Sequence, residues 1–104
     1  MEKDGLKMKL SLLLSALTEY QTNGINDVAL LDEIEISGIC FDSREIKTGQ
    51  LFVCLAGDKY DGHDFVSQAE KLGALAVVSE RVLDCSLLQI IVEDSRSALA
   101  LLSS

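Results

Sequence analysis

Two short stretches concentrate the side chains able to do chemistry. One is Asp42-Ser43-Arg44; the other is Gly57-Asp58-Lys59-Tyr60-Asp61-Gly62, followed by His63-Asp64-Phe65. The second leads from an apolar, strand-like run, Leu51 to Ala56, into a helical pattern, which is the outline of a phosphate loop. A loop that serves nucleotide hydrolysis follows its last glycine with a lysine for the terminal phosphates and a hydroxyl for magnesium. Here Gly62 is followed by His63 and Asp64, so hydrolysis is not the chemistry of this loop. What the two stretches do offer is recognition. Ser43 can donate and accept, Lys59 can neutralise phosphate, and Phe41 or Tyr60 can lie against a base or ribose. Arg44, Lys47 and Lys59 would be the local cations for an anionic small molecule. Spacing alone equally allows Asp42 and Arg44 to be a loop-stabilising pair and the glycines merely to turn the chain.

Other chemistries find no support. His63 is the only histidine and no serine sits in G-x-S-x-G, so a hydrolytic triad is unsupported. At the start of a helical pattern His63 reads first as a capping or loop-packing residue, and second as a ligand contact. Asp42, Asp58, Asp61 and Asp64 lack the alternating oxygen pattern of a calcium loop and read as solvated or capping carboxylates, so no metal site is expected. Cys40, Cys54 and Cys85 are odd in number and form no C-x-x-C pair, which suits buried, reduced thiols in a cytoplasmic protein. A net charge of −8 argues against a nucleic-acid partner, whose phosphates require a basic face. Leu12-Leu13-Leu14 is broken by serines far short of the ~18 to 20 residues that span a bilayer, and Met1 to Gly5 mixes charge signs unlike a secretory leader. No membrane partner is expected.

The elements that must position the two stretches follow from periodicity. With 104 residues, 48% of them hydrophobic, the chain is one domain's worth, with an aliphatic core. Leu6, Leu10, Leu13, Leu17 and Tyr20 recur at helical steps, with Ser11 as an alternative N-cap; Gln21 to Gly24 then breaks the pattern. Residues 34–41 are strand-forming, with an alternation slip at Gly38 that a bulge would absorb. Leu51 to Ala56 predicts a strand covered on both faces, central in its sheet. Phe65, Ala69 and Leu72 predict a helix closed by Gly73. Residues 74–78 and 87–92 predict further strands, so the fold class is α/β with a βαβ unit. Asp94 or Ser95 should cap a last helix carrying Ala98, Leu99 and Leu102. That helix reaches Ser104 without a terminating glycine, so the chain reads as a piece of a longer one.

The runs Ile36 to Arg44, Thr48-Gly49-Gln50-Leu51-Phe52-Val53 and Gly57 to Phe65 together resemble the N-terminal domain of the Mur ligases, the ATP-dependent enzymes that add amino acids to the UDP-N-acetylmuramoyl precursor of peptidoglycan. Met8-Lys9-Leu10-Ser11 and Val92 to Leu102 extend the resemblance, which is strongest toward the members that add the third residue, meso-diaminopimelate or L-lysine, to UDP-N-acetylmuramoyl-L-alanyl-D-glutamate. The members that add D-alanyl-D-alanine are the alternative, and an interaction module of the same architecture is a further one. The resemblance implies a small mixed sheet flanked by helices, structured over about 8–102. It also implies a role in holding the uridine diphosphate end of the substrate, through Phe41, Ser43, Asp58, Lys59 and Tyr60. No catalytic residue is expected on these 104 residues. ATP, magnesium and the amide-forming chemistry would belong to central and C-terminal domains of the parent chain.

Overall fold

A computed structural model describes residues 7–24, 31, 33–57 and 61–103. In chain order the elements are β1 (Met8–Lys9), α1 (Leu10–Leu14), β2 (Gln21–Asn23), β3 (Glu35–Ile36), β4 (Gly38–Cys40), a 3-10 turn at Ser43–Glu45, β5 (Gln50–Val53), a 3-10 turn at Gly62–Phe65, α2 (Val66–Leu72), β6 (Ala76–Ser79), β7 (Leu88–Ile91) and α3 (Ser95–Ser103). One sheet has the order β2-β7-β6-β5-β4. Its strands β4, β5, β6 and β7 are mutually parallel, and β2 joins antiparallel to β7. The unit β5-α2-β6 is the expected βαβ crossover. β5 is an interior strand, although β6 takes the middle position.

Successive strand residues face opposite sides, so strands that are apolar throughout feed two cores. Leu51, Val53, Ala76, Val78, Leu88 and Ile90 pack with Leu10 and Leu14 of α1, with Leu17 beyond it, and with Ala98 and Leu102 of α3. Phe52 and Val77 face the other way, toward Val66 and Ala69 of α2, with Cys54 in the same cluster. Burying a side chain the size of Leu51 or Phe52 contributes about 1.5–3 kcal/mol, so the sheet is held from both sides. Gly73 closes α2 at φ +108°, where a side chain would also meet Thr48 Cα at 2.9 Å.

The structure corrects three expectations. The first helix is only Leu10–Leu14, preceded by Lys9 rather than by a capping Ser11, and the chain then turns so that Gln21–Asn23 forms an edge strand. The strand-forming stretch 34–41 is not one bulged strand. It divides at Ser37, with Glu35–Ile36 pairing with β1 and Gly38–Cys40 joining the main sheet. Of the three free cysteines only Cys54 is buried; Cys40 and Cys85 are half-buried. Burial pushes the Cys54 thiol up to about 12, so it sits in the core as an inert apolar group. Among the described residues no helix is long and apolar enough to cross a membrane.

Candidate functional site

Because β4 and β5 are parallel neighbours, the segments that follow them leave the sheet at the same edge. The first is Phe41-Asp42-Ser43-Arg44. Asp42 caps the 3-10 turn: its Oδ1 accepts from Arg44 N at 2.9 Å and from Arg44 Nε at 3.0 Å, and its Oδ2 accepts from Nη2 at 2.9 Å. Those bonds from Arg44, the side-chain ones foremost, hold the Asp42 carboxyl below the usual carboxylate range. The loop-stabilising pair is thus real, and its effect is to fold the turn around Ser43. Ser43 is buried, its hydroxyl has no hydrogen-bond partner among the described residues, and Phe41 beside it is 56% exposed. Lys47 is not part of this edge. It precedes β5, at the opposite end of that strand, where its backbone N–H donates to Gln50 Oε1.

The second segment runs from β5 to the 3-10 turn at Gly62. Asp58, Lys59 and Tyr60 lie outside the described residues, but the neck that carries them is well defined. Gly62 N donates to Leu55 O at 2.8 Å, and Ala56 bridges Asp61. A Cβ at Gly62 would stand 2.8 Å from Leu55 N, so the glycine is required by close backbone approach. Asp61 caps the turn by accepting from His63 N at 2.9 Å, and it accepts again from His63 Nδ1 at 2.5 Å. These bonds, the backbone one first, hold its carboxyl below the usual range. His63 is buried, and its Nε2 accepts from Glu80 N at 2.9 Å, which places the ring proton on Nδ1. It is therefore a packing histidine, its ring buried in the fold and its backbone N–H capped by Asp61.

Three partners of this neck escaped the sequence reading. Glu80 Oε2 accepts from Ser95 N at 2.8 Å, Arg96 Nη2 donates to Ala56 O at 3.1 Å, and Arg81 Nη1 lies 3.5 Å from Asp61 Oδ2. Their only sequence signal was position after a strand end. A cleft of about 690 Å³ opens nearby, lined by Glu19, Glu80, Glu93, Asp94 and Arg96, but neither Phe41 nor Ser43 borders it. Four carboxylates against one guanidinium would repel a diphosphate. The Ser43 turn has the better chemistry for an anionic ligand. Where a phosphate loop would present lysine and hydroxyl, this chain presents the inward-facing His63, so these residues do not fit the phosphates and magnesium of ATP.

Known proteins share this fold and sequence. The family described as "Mur ligase family, catalytic domain" matches residues 35–104. A UDP-N-acetylmuramoyl-L-alanyl-D-glutamate--2,6-diaminopimelate ligase of Listeria monocytogenes is 42% identical over 96 residues, covering 92% of this chain and 18% of that protein. One from Syntrophomonas wolfei is 51% identical over 72 residues, covering 67% of this chain and 15% of its own. Among solved structures, MurF from Acinetobacter baumannii superposes with a TM-score of 0.78 at 29% identity, covering 91% of this chain and 20% of that one. This chain thus spans about a fifth of the length of the relatives it matches. Since the family match extends from β3 through both loops to the end of α3, and the same architecture recurs in a solved relative, the chain belongs to the Mur ligase family.

Proposed function

We propose that this chain is a single N-terminal domain, 1–104, that grips the uridine diphosphate end of UDP-N-acetylmuramoyl-L-alanyl-D-glutamate within a longer cytoplasmic ligase. The observation that carries the reading is the pairing of two loops on adjacent parallel strands, with the open hydroxyl of Ser43 folded into the first. Ser43 would donate to a diphosphate or uracil oxygen, and the exposed Phe41 ring would pack against the base. Lys59 would neutralise a phosphate, with Asp58 and Tyr60 toward ribose and uracil. The catalytic steps, with ATP and magnesium, fall to central and C-terminal domains of the parent. That the parent adds the third stem-peptide residue is supported by the names of the curated relatives at 42% identity. The likeness to MurF favours a second reading, the D-alanyl-D-alanine-adding ligase, at the lower identity of 29%.

Titrating the isotopically labelled chain with UDP-N-acetylmuramoyl-L-alanyl-D-glutamate tests the site. Amide shifts should concentrate at Phe41 and Ser43, and Ser43→Ala should weaken binding about tenfold, the loss of one hydrogen bond to a charged group. Unmoved amides around Ser43, or equal affinity in the variant, would overturn it. A chain that ignores every uridine nucleotide but captures a protein partner would instead be an interaction module.

A further inference from the structure

Asp42 is the centre of two hydrogen bonds that each span a single residue. Its backbone carbonyl accepts from the Cys40 thiol at 3.2 Å, across Phe41, and its carboxylate Oδ1 accepts from Arg44 N at 2.9 Å, across Ser43. Glu45 N donates to the same carbonyl at 2.9 Å, and the Arg44 guanidinium closes on both carboxylate oxygens. The residues bracketed in this way are the two described members of the proposed nucleotide site. Phe41 is exposed, so no core packing orients its ring and the backbone alone must aim it. Ser43 is buried, so its hydroxyl goes where the turn carries it. Asp42 itself belongs to neither core. A carboxylate beside a diphosphate would by its charge repel it, and the Arg44 guanidinium offsets that charge, so what Asp42 contributes is geometry.

We propose that Asp42 is a positioning residue for uridine diphosphate. It holds Ser43 through its carboxylate and Phe41 through its carbonyl, with the Cys40 thiol as the brace on the Phe41 side, and it touches no part of the ligand. This rests on the reading of Phe41 and Ser43 as nucleotide contacts. In a turn released from Asp42 the hydroxyl and the ring sample other directions, and apparent affinity falls by the fraction of time they spend in the competent one.

The experiment measures the Kd of uridine diphosphate for the 104-residue chain and its variants, alongside the thermal midpoint and amide spectrum of each. Asp42→Ala removes the acceptor across Ser43, whereas Asp42→Asn keeps one oxygen for Arg44 N. Cys40→Ala removes the donor across Phe41, whereas Cys40→Ser keeps one. The alanine variants should fold and raise Kd, Asp42→Ala about tenfold and Cys40→Ala about threefold, with asparagine and serine each restoring most of the loss. Because the effect of the carboxylate runs through Ser43, Asp42→Ala should cost little more once Ser43→Ala is present. A residue that only stabilises the fold would lower the midpoint and leave the Kd of the folded protein unchanged. That result in either alanine variant, or full additivity of Asp42→Ala with Ser43→Ala, overturns the inference. If Asp42→Ala fails to fold, Asp42→Glu, which keeps the charge but carries the oxygens one bond out of the turn, decides by the same criteria. Absence of uridine diphosphate binding by the unsubstituted chain is a different failure: it removes the nucleotide reading itself, and this inference with it.

Discussion

Asp61 answers to three groups at once, the backbone and ring of His63 and the guanidinium of Arg81. All of them favour the carboxylate, led by the His63 backbone N–H, and the carboxyl titrates below its ordinary 3.8. A carboxyl with a depressed folded-state pKa contributes stability that is fully present above 3.8 and is lost as pH falls through the lower folded-state value. Between pH 5 and pH 3 the thermal midpoint of the chain should therefore drop more than that of Asp61→Asn, whose amide oxygen still caps the turn but does not titrate. Parallel acid limbs for the two proteins would show that Asp61 carries no such linkage. At this scale much was legible in the sequence. Gly62 was read as a turn glycine and His63 as a capping or loop-packing residue at the start of a helical pattern; the local part of that, the turn capped by Asp61, was legible because Asp61 is two positions from His63. Glu80, Ser95 and Arg96 were not, because their partners are 15 to 40 positions distant and only the fold brings them together. Lys47 misled for the converse reason: it is near Arg44 in sequence but at the other end of a strand.

Between residues and fold stand the elements, and their legibility tracks how much of each is decided by side chains. The apolar runs at β5, β6 and β7 and the glycine-closed α2 follow the sequence pattern because burial on both faces leaves no choice of partner. β2 is the opposite case. Gln21-Thr22-Asn23 joins the sheet edge through its backbone, a pairing that demands no apolar signature. The leucine repeat that predicted a long first helix is used differently as well: Leu10, Leu14 and Leu17 all reach the core, but from one and a half turns of helix and the bend after it. α3 follows its expected cap. Asp94 Oδ1 accepts from Arg96 N at 3.0 Å and from Ser97 N at 3.2 Å, which is the arrangement of a side-chain N-cap. Asp94→Ala should cost about 1 kcal/mol in urea unfolding, whereas Asp94→Ser should recover most of it. Equal stability of the alanine variant would mean that Glu80, which holds the backbone of Ser95, caps the helix unaided.

For the molecule as a whole, the central fact is that two cores share one sheet. Leu51 and Phe52 are adjacent in β5 and both essentially inaccessible, yet they belong to opposite clusters. A strand of four residues cannot lose its packing on one face and keep its position for the other, because the backbone that orients Leu51 also orients Phe52. Leu51→Ala, made only in the core that α1 and α3 cover, should remove about 2–5 kcal/mol. That is a large share of the roughly 5–15 kcal/mol that holds a domain together. The loss should be felt equally on the far face. In a denaturant series, amides of α2 and of α3 should report one common midpoint in the unsubstituted chain, and the substitution should move both midpoints by the same amount. If α3 unfolds first while α2 keeps its original midpoint, the two layers are independent.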